Sequence, residues 1–261
     1  MSEDKLRLGG MALRNGLLVH GPTHWAASVR TKQGVLKSAS GPKPRFGFDG
    51  LPGVRGVARL AEAMAVIPLV KRGLPEARLP MQDAKTLGAM VAAAAGGQLL
   101  RKAGPRTLGR EALLATVSLA PALLSLRSGD IAAYHGVEHK SIAAYETDGE
   151  AADALKEHDR CGSNLVAPML ASTVVGNVAA RRAGLSGARA DALVGLGSIA
   201  FAVEVFAWSE RHSDSALAGL LRKPGHEIQR VVGTKEPTAD QLEVGRAALD
   251  EILKVEAATA E

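Results

Sequence analysis

Four stretches of the chain carry almost no charge. Residues 86–100 and 112–126 hold none, residues 161–180 none over a longer run, and residues 192–203 none until Glu204, after which the run resumes to Ser209. A membrane-spanning helix needs about 20 predominantly apolar residues, so the third stretch reaches that length outright and the others border on it. The pattern predicts a mainly α protein with about four membrane-embedded helices packed as a bundle. Buried helices of a soluble bundle fit the same runs, and the Ala and Gly of residues 92–97 and 194–197 permit close helix approach in either setting.

Elsewhere the periodicity changes. Short β-prone runs at residues 17–20, 25–30 and 35–38, separated by Gly21-Pro22 and by residues 31–34, predict a small N-terminal β meander. A Gly- and Pro-rich connector, residues 41–53, leads to Val57, Leu60, Ala61, Met64 and Ile67 at helical spacing. That spacing predicts an amphipathic helix over residues 54–71, broken near Pro68. Residues 220–229, with Pro224-Gly225, read as a turn into a short element. Thr238 and Gln241 have the spacing of a capping box for a last, amphipathic helix, with Leu242, Leu249, Ile252 and Leu253 as its buried stripe. The chain thus divides into a β-rich segment (residues 1–50), an amphipathic helix and connector (51–82), a helical membrane core (83–210) and a C-terminal helical tail (211–261).

Composition sharpens this picture. Hydrophobic residues make up 46% of the 261 but aromatics only 3%, so the apolar content is largely Ala, Leu and Val, which suits packed helices better than a broad β core. The formal charge of +5 raises nucleic acid as a partner. However, the Lys and Arg residues are scattered and no basic face is interleaved with aromatics. Basic residues flanking apolar helices against anionic lipid account for the charge, so the bilayer is the expected partner and nucleic acid is not. Residues 1–10 carry both signs of charge and no apolar signal core, so the N-terminal segment is expected in the cytoplasm, with the chain a multi-pass protein of the cell membrane. With an even number of spans, that segment, residues 127–160 and the C-terminal tail share one side. Homo-oligomerisation is left open.

The chemistry concentrates between the two pairs of apolar stretches. On a helix over residues 131–146, capped by Asp130 and ended by Asp148-Gly149, His135 and His139 project from one face with Glu138 beside them. The spelling His-x-x-Glu-His is that of inverted-motif zinc peptidases, whose histidines hold zinc while the glutamate acts on its water. His158 and Cys161, the single cysteine, add an imidazole and a thiol, groups that zinc and other late first-row metals favour. Sites of this type draw a further carboxylate from a later helix, and Glu204, alone in an uncharged run, is the candidate. His20, His24, His212 and His226 have no partner at ligand-like spacing.

The chain resembles the YqhQ family of bacterial membrane proteins of unknown function, predicted to be metal-dependent enzymes. The similar pieces are Gly9-Gly10-Met11-Ala12 through Gly21-Pro22, Arg55-Gly56-Val57, Tyr134 through Lys140 with Tyr145-Glu146, His158 through Gly162, and Thr234-Lys235-Glu236-Pro237 with Glu243-Val244. The resemblance implies several membrane-embedded helices and a metal-dependent activity. It also implies a Gln and a Glu where this chain has Met11 and Asn15, and an aromatic where Val203 precedes Glu204.

Two functions follow. In one, His135 and His139, with His158, Cys161 or Glu204, hold a divalent metal, expected to be zinc, with a position open. Glu138 is then the base of a hydrolase acting at the membrane surface on a peptide, an amide or a lipid-linked substrate. In the other, His135, His139, His158 and Cys161 close a tetrahedral structural site, and the protein is a membrane scaffold or assembly factor without catalysis.

Overall fold

The computed structural model describes residues 5–48, 54–80, 82, 84–102, 104, 107–126 and 130–260. The end of the Gly- and Pro-rich connector, residues 49–53, lies outside them. Strands β1 (Gly9–Leu13), β2 (Gly16–His20), β3 (His24–Arg30) and β4 (Leu36–Pro42) form one antiparallel sheet in chain order. The meander therefore has one strand more than its β-prone runs predict. β1 contains no β-branched residue to signal it, and pairing with β2, from Gly9 opposite His20 to Leu13 opposite Gly16, makes it a strand. Asn15 ties the turn between them to its surroundings: its Nδ2 donates to the carbonyls of Arg30 and Glu76, and its Oδ1 accepts from the Arg78 N–H.

Both faces of the sheet are covered, which explains why β2 and β3 read as nearly continuous apolar runs. Leu17, Val19 and Ala26 pack under helices α4 (Ile131–Thr147) and α8 (Ala239–Ala260). Leu18, Trp25, Ala27 and Val29 pack against Val66 and Val70 of α1 (Arg55–Gly73). The helix α1 runs through Pro68 without the expected break. The proline removes one backbone donor, while Val66 and Val70 on either side are fully buried on the sheet and keep the helix continuous across it.

Two helical hairpins complete the chain among the described residues: α2 (Ala84–Lys102) with α3 (Leu108–Leu126), and α5 (Val166–Arg182) with α6 (Ala188–Arg211). A short 3-10 turn, Gly162–Leu165, leads into α5. Three segments are long and apolar enough to cross a membrane by length and composition: α3, Gly162–Arg182 and α6. Only 17%, 11% and 11% of their apolar windows are buried, so their apolar surface faces outward rather than into a core. Against the expectation of about four, α2 falls short, because Lys85, Arg101 and Lys102 lie within it and its apolar residues are mostly Ala.

Past α6 comes α7 (Ala216–Ile228), a helix where a turn is expected. Pro224-Gly225 lies inside it, and Gly225 permits close approach: a Cβ there would sit 2.7 Å from the backbone N and Cα of Asn164. A five-residue π turn, Gln229–Gly233, follows. The start of α8 is closed reciprocally, Thr238 N–H donating to Gln241 Oε1 (3.0 Å) and Gln241 N–H to Thr238 Oγ1 (3.3 Å). Its fully buried residues are Val244, Ala248 and Ile252, four apart, with Leu242, Leu249 and Leu253 packed beside them.

α4 lies beside α8 on one face of the sheet, and two glycines allow the close approach. A Cβ at Gly245 would strike Val137 and Ser141, and one at Gly136 would strike the Lys235 carbonyl. Because that obstacle is backbone, Gly136→Ala is expected to lower stability by about 1–3 kcal/mol, seen as a fall in Tm of several degrees by thermal unfolding in detergent.

Candidate metal centre

The helix α4 carries the motif and is buried on nearly every side, apart from a few positions. Asp130 stands at its N-cap without making a side-chain cap bond. Its C-terminus closes at Asp148, in the left-handed region at φ 54°, with the Asp148 and Gly149 N–H groups both returning to the Ala144 carbonyl. Aspartate is among the few non-glycine residues that tolerate this conformation. The chain then loops back over α4 and brings His158 and Cys161 beside the motif.

Each histidine of the pair is fixed by a backbone carbonyl. His135 Nδ1 lies 2.8 Å from the Gly233 oxygen, and His139 Nδ1 lies 2.6 Å from the Lys156 oxygen. A carbonyl can only accept, so both Nδ1 atoms donate and both Nε2 atoms present a lone pair. Cys161 Sγ is 3.3 Å from His135 Nε2 and also accepts from the Ser163 N–H at 3.5 Å. The imidazole rings are 4.3 Å apart between centroids. One ligand atom each from His135, His139 and Cys161 falls within 4.8 Å of the others, a group that could hold a metal ion.

The electrostatics fit such a group. His139 is 2% exposed, and its Nε2 has no hydrogen-bond partner among the described residues. Burial, then the neighbouring His135, pushes its pKa down to about 3, so the neutral ring required of a ligand is its resting form. Burial likewise raises the Cys161 thiol, against hydrogen bonds from Ser163 that pull the other way. Glu138 shares a cavity of about 160 Å³ with His139 and Cys161. Its carboxyl is pushed up to about 7, chiefly by burial, with the nearby His135 opposing and Cys161 adding. β1 forms the opposite wall: a Cβ at Gly10 would sit 2.8 Å from Glu138 Cγ.

His158 and Glu204 stand outside the three-residue group. The ring of His158 is 5.7 Å from that of His139, but its Nε2 faces Glu146 Oε2 at 3.3 Å and its Nδ1 accepts from the Arg160 N–H at 3.2 Å. Burial lowers its pKa despite Asp159 and Glu210 nearby, so the neutral ring has both nitrogens engaged. Glu204 is half-buried on α6 and has interactions of its own.

Several supporting groups have no signal in a single sequence. The carbonyls of Lys156 and Gly233 orient the histidines. Gln229, fully buried, accepts from the His158 N–H at 2.7 Å and donates to Ser163 Oγ at 2.8 Å, so it holds both flanks of the Cys161 turn. Lys140, 3% exposed, bridges the carbonyls of Ala152 and Ala154 and pairs with Glu236 at 2.6 Å, which fixes the loop over the site.

Residues 127–255 match the model of a family described as a protein of unknown function, DUF1385. The matched region contains all three candidate ligands and Glu138 and leaves out the sheet. No curated protein matches the chain. No solved structure matches it.

Proposed function

We propose that the chain is a metal-dependent hydrolase working at a membrane surface, in which His135, His139 and Cys161 hold a zinc-type divalent ion and Glu138 is the base. The observation that carries this reading is the buried, unpartnered Nε2 of His139, one of three ligand atoms within 4.8 Å of one another. Charge supports it. Burial disfavours ionisation of both Glu138 and the Cys161 thiol, and a divalent cation can replace the two protons they would otherwise keep. An ion held there supplies Lewis acidity and lowers the pKa of water. Glu138 then accepts a proton at its carboxylate oxygen and returns it to the leaving group, while Gly10 and Ile142 help keep solvent from the cavity.

Three protein ligands rather than four are the mark of an open, catalytic site. The scaffold reading needs His158 as the fourth ligand, and both of its ring nitrogens are engaged elsewhere. It remains the second reading because its ring stands only 5.7 Å from that of His139.

The membrane part of the proposal rests on the outward apolar surfaces of α3, α5 and α6. The sheet packs on α4 and α8, so the N-terminal region, the site and the tail share a side. If α3 crosses, α2 must cross with it, and its 19 residues span about 28 Å at 1.5 Å each, close to the roughly 30 Å of a hydrocarbon core. The resemblance to the YqhQ family points the same way.

The test is metal removal from detergent-purified protein incubated with a total membrane extract. One ion per chain is expected by elemental analysis, with new products by mass spectrometry that vanish on chelation and return with zinc. A protein that binds no ion, or whose products are indifferent to chelation, overturns the reading.

A further inference from the structure

β1 is an edge strand, and its free edge runs beside the candidate centre. The neighbouring ladder fixes which of its groups face outward. In an antiparallel pair, alternate residues exchange their N–H and C=O groups with the partner strand. At the two ends of β2, the Gly21 N–H donates to the His24 carbonyl and the Arg30 N–H to the Asn15 carbonyl, so odd-numbered positions bond toward β3. The even-numbered ones, Gly16, Leu18 and His20, therefore bond toward β1, where they stand opposite Leu13, Met11 and Gly9. That leaves the N–H and C=O of Gly10 and Ala12 pointing away from the sheet. Among the described residues, neither Gly10 nor Ala12 has a backbone or side-chain partner on that edge. The next outward donor, the Arg14 N–H, goes to the Arg78 carbonyl and closes the edge at that end.

The position of this edge gives it a use. Leu8, Gly9 and Gly10 form one wall of the cavity of about 160 Å³ whose other wall carries Glu138, His139 and Cys161. Gly9 is exposed and Gly10 half-buried, so the edge is open where it meets the cavity. Two consecutive residues without side chains let a second backbone come close. Ala12 is only 8% exposed, and backbone groups at such depth are ordinarily hydrogen-bonded, which a chain laid along the edge would supply. An unpaired edge is a template for another extended chain, and strand addition holds a peptide in register through its main chain.

We infer that the substrate of this centre is an extended polypeptide, held as a fifth strand along Gly10 and Ala12 of β1, with one of its peptide bonds carried past Glu138. This deepens the hydrolase reading and rests on it. The hydroxyl of water goes to the carbonyl carbon of that bond and the C–N bond breaks. Water's remaining proton, carried by Glu138, goes to the departing nitrogen, and no other co-reactant is consumed. Because the pairing uses main-chain groups alone, it sets the register of the substrate whatever its side chains are.

The experiment begins with the zinc-loaded full chain in detergent and a proteome-derived peptide library, with cuts read by mass spectrometry. A cut peptide is then resynthesised as a series, each member carrying one backbone N-methyl group at a position other than the cleaved amide. The affinity of each member for zinc-loaded Glu138→Gln is measured by isothermal titration calorimetry. Affinity should fall about tenfold, the weight of one backbone hydrogen bond, at positions two apart, and stay unchanged at the position between them. The series alters only the peptide, so the fold of the protein is untouched. Equal tolerance at every position overturns the inference, as do losses that do not alternate and a library in which no peptide is cut. The hydrolase reading fails separately. Alternation in peptides still cut after chelation would sink the metal and keep the strand site, and chelation-sensitive products from the membrane extract with no cut peptide would do the reverse.

Discussion

Substituting His139 by Ala is expected to take the bound metal from one ion per chain to none. His139 contributes the deepest ligand, and removing it leaves only His135 and Cys161, whose Nε2 and Sγ then satisfy each other at 3.3 Å as a hydrogen-bonded pair. Two ligands on a partly exposed site do not hold a zinc-type ion against water. The same change frees the Lys156 carbonyl and opens a hole where an imidazole had filled the cavity, so the variant should also be less stable, by about 2–4 kcal/mol. Elemental analysis separates the two effects: the chelated wild type loses the ion alone, and the variant loses the ion and the packing. A variant that keeps its metal would place the ion elsewhere.

The legibility of the fold follows the range of the interactions that make it. β2 and β3 were readable because Leu17, Val19 and Trp25 carry the signal within the strand itself. β1 was not, because Gly9 to Leu13 become a strand only by pairing with β2. Two prolines lie inside helices for one reason. At Pro68 and Pro224 a local rule breaks the helix, but Val66 and Val70 on the sheet, and Gly225 against Asn164, supply tertiary contacts that carry it through.

The candidate site divides along the same line. Spacing on one helix brings His135, Glu138 and His139 to one face, and their order in the chain displays it. The contribution of Cys161 depends on a loop, residues 148–160, returning over α4, held by Lys140 and Gln229 through bonds that no local pattern encodes. His158 stands next to Cys161 in sequence terms and looks equally suited to a metal, yet Glu146 and the Arg160 N–H occupy its nitrogens. Isolation in an apolar run marks Glu204 as an ionisable group that needs a partner, and the partner is set by tertiary contacts rather than by spacing.

Glu138→Gln is expected to keep the ion and to lower turnover of any hydrolysed substrate about 10²–10⁴-fold, the usual contribution of a positioned base; unchanged turnover would remove Glu138 as the base. Its effect on the metal-free protein is equally specific. With His139 held near 3, folding keeps a neutral ring, so this residue's contribution is complete above pH 6.5 and drains away as pH falls toward 3. With Glu138 held near 7, folding disfavours the carboxylate, so its penalty is absent below about 4.5 and grows as pH rises toward 7. Between pH 4.5 and 6.5 the two slopes are each about 1.4 kcal/mol per pH unit and opposite in sign, and the chelated wild type should show little net dependence from this pair. Removing the carboxyl exposes the histidine slope. Chemical unfolding of chelated Glu138→Gln should therefore gain about 2–3 kcal/mol relative to chelated wild type between pH 4.5 and 6.5. Parallel curves for the two proteins would mean that these groups are not buried against one another in the metal-free fold.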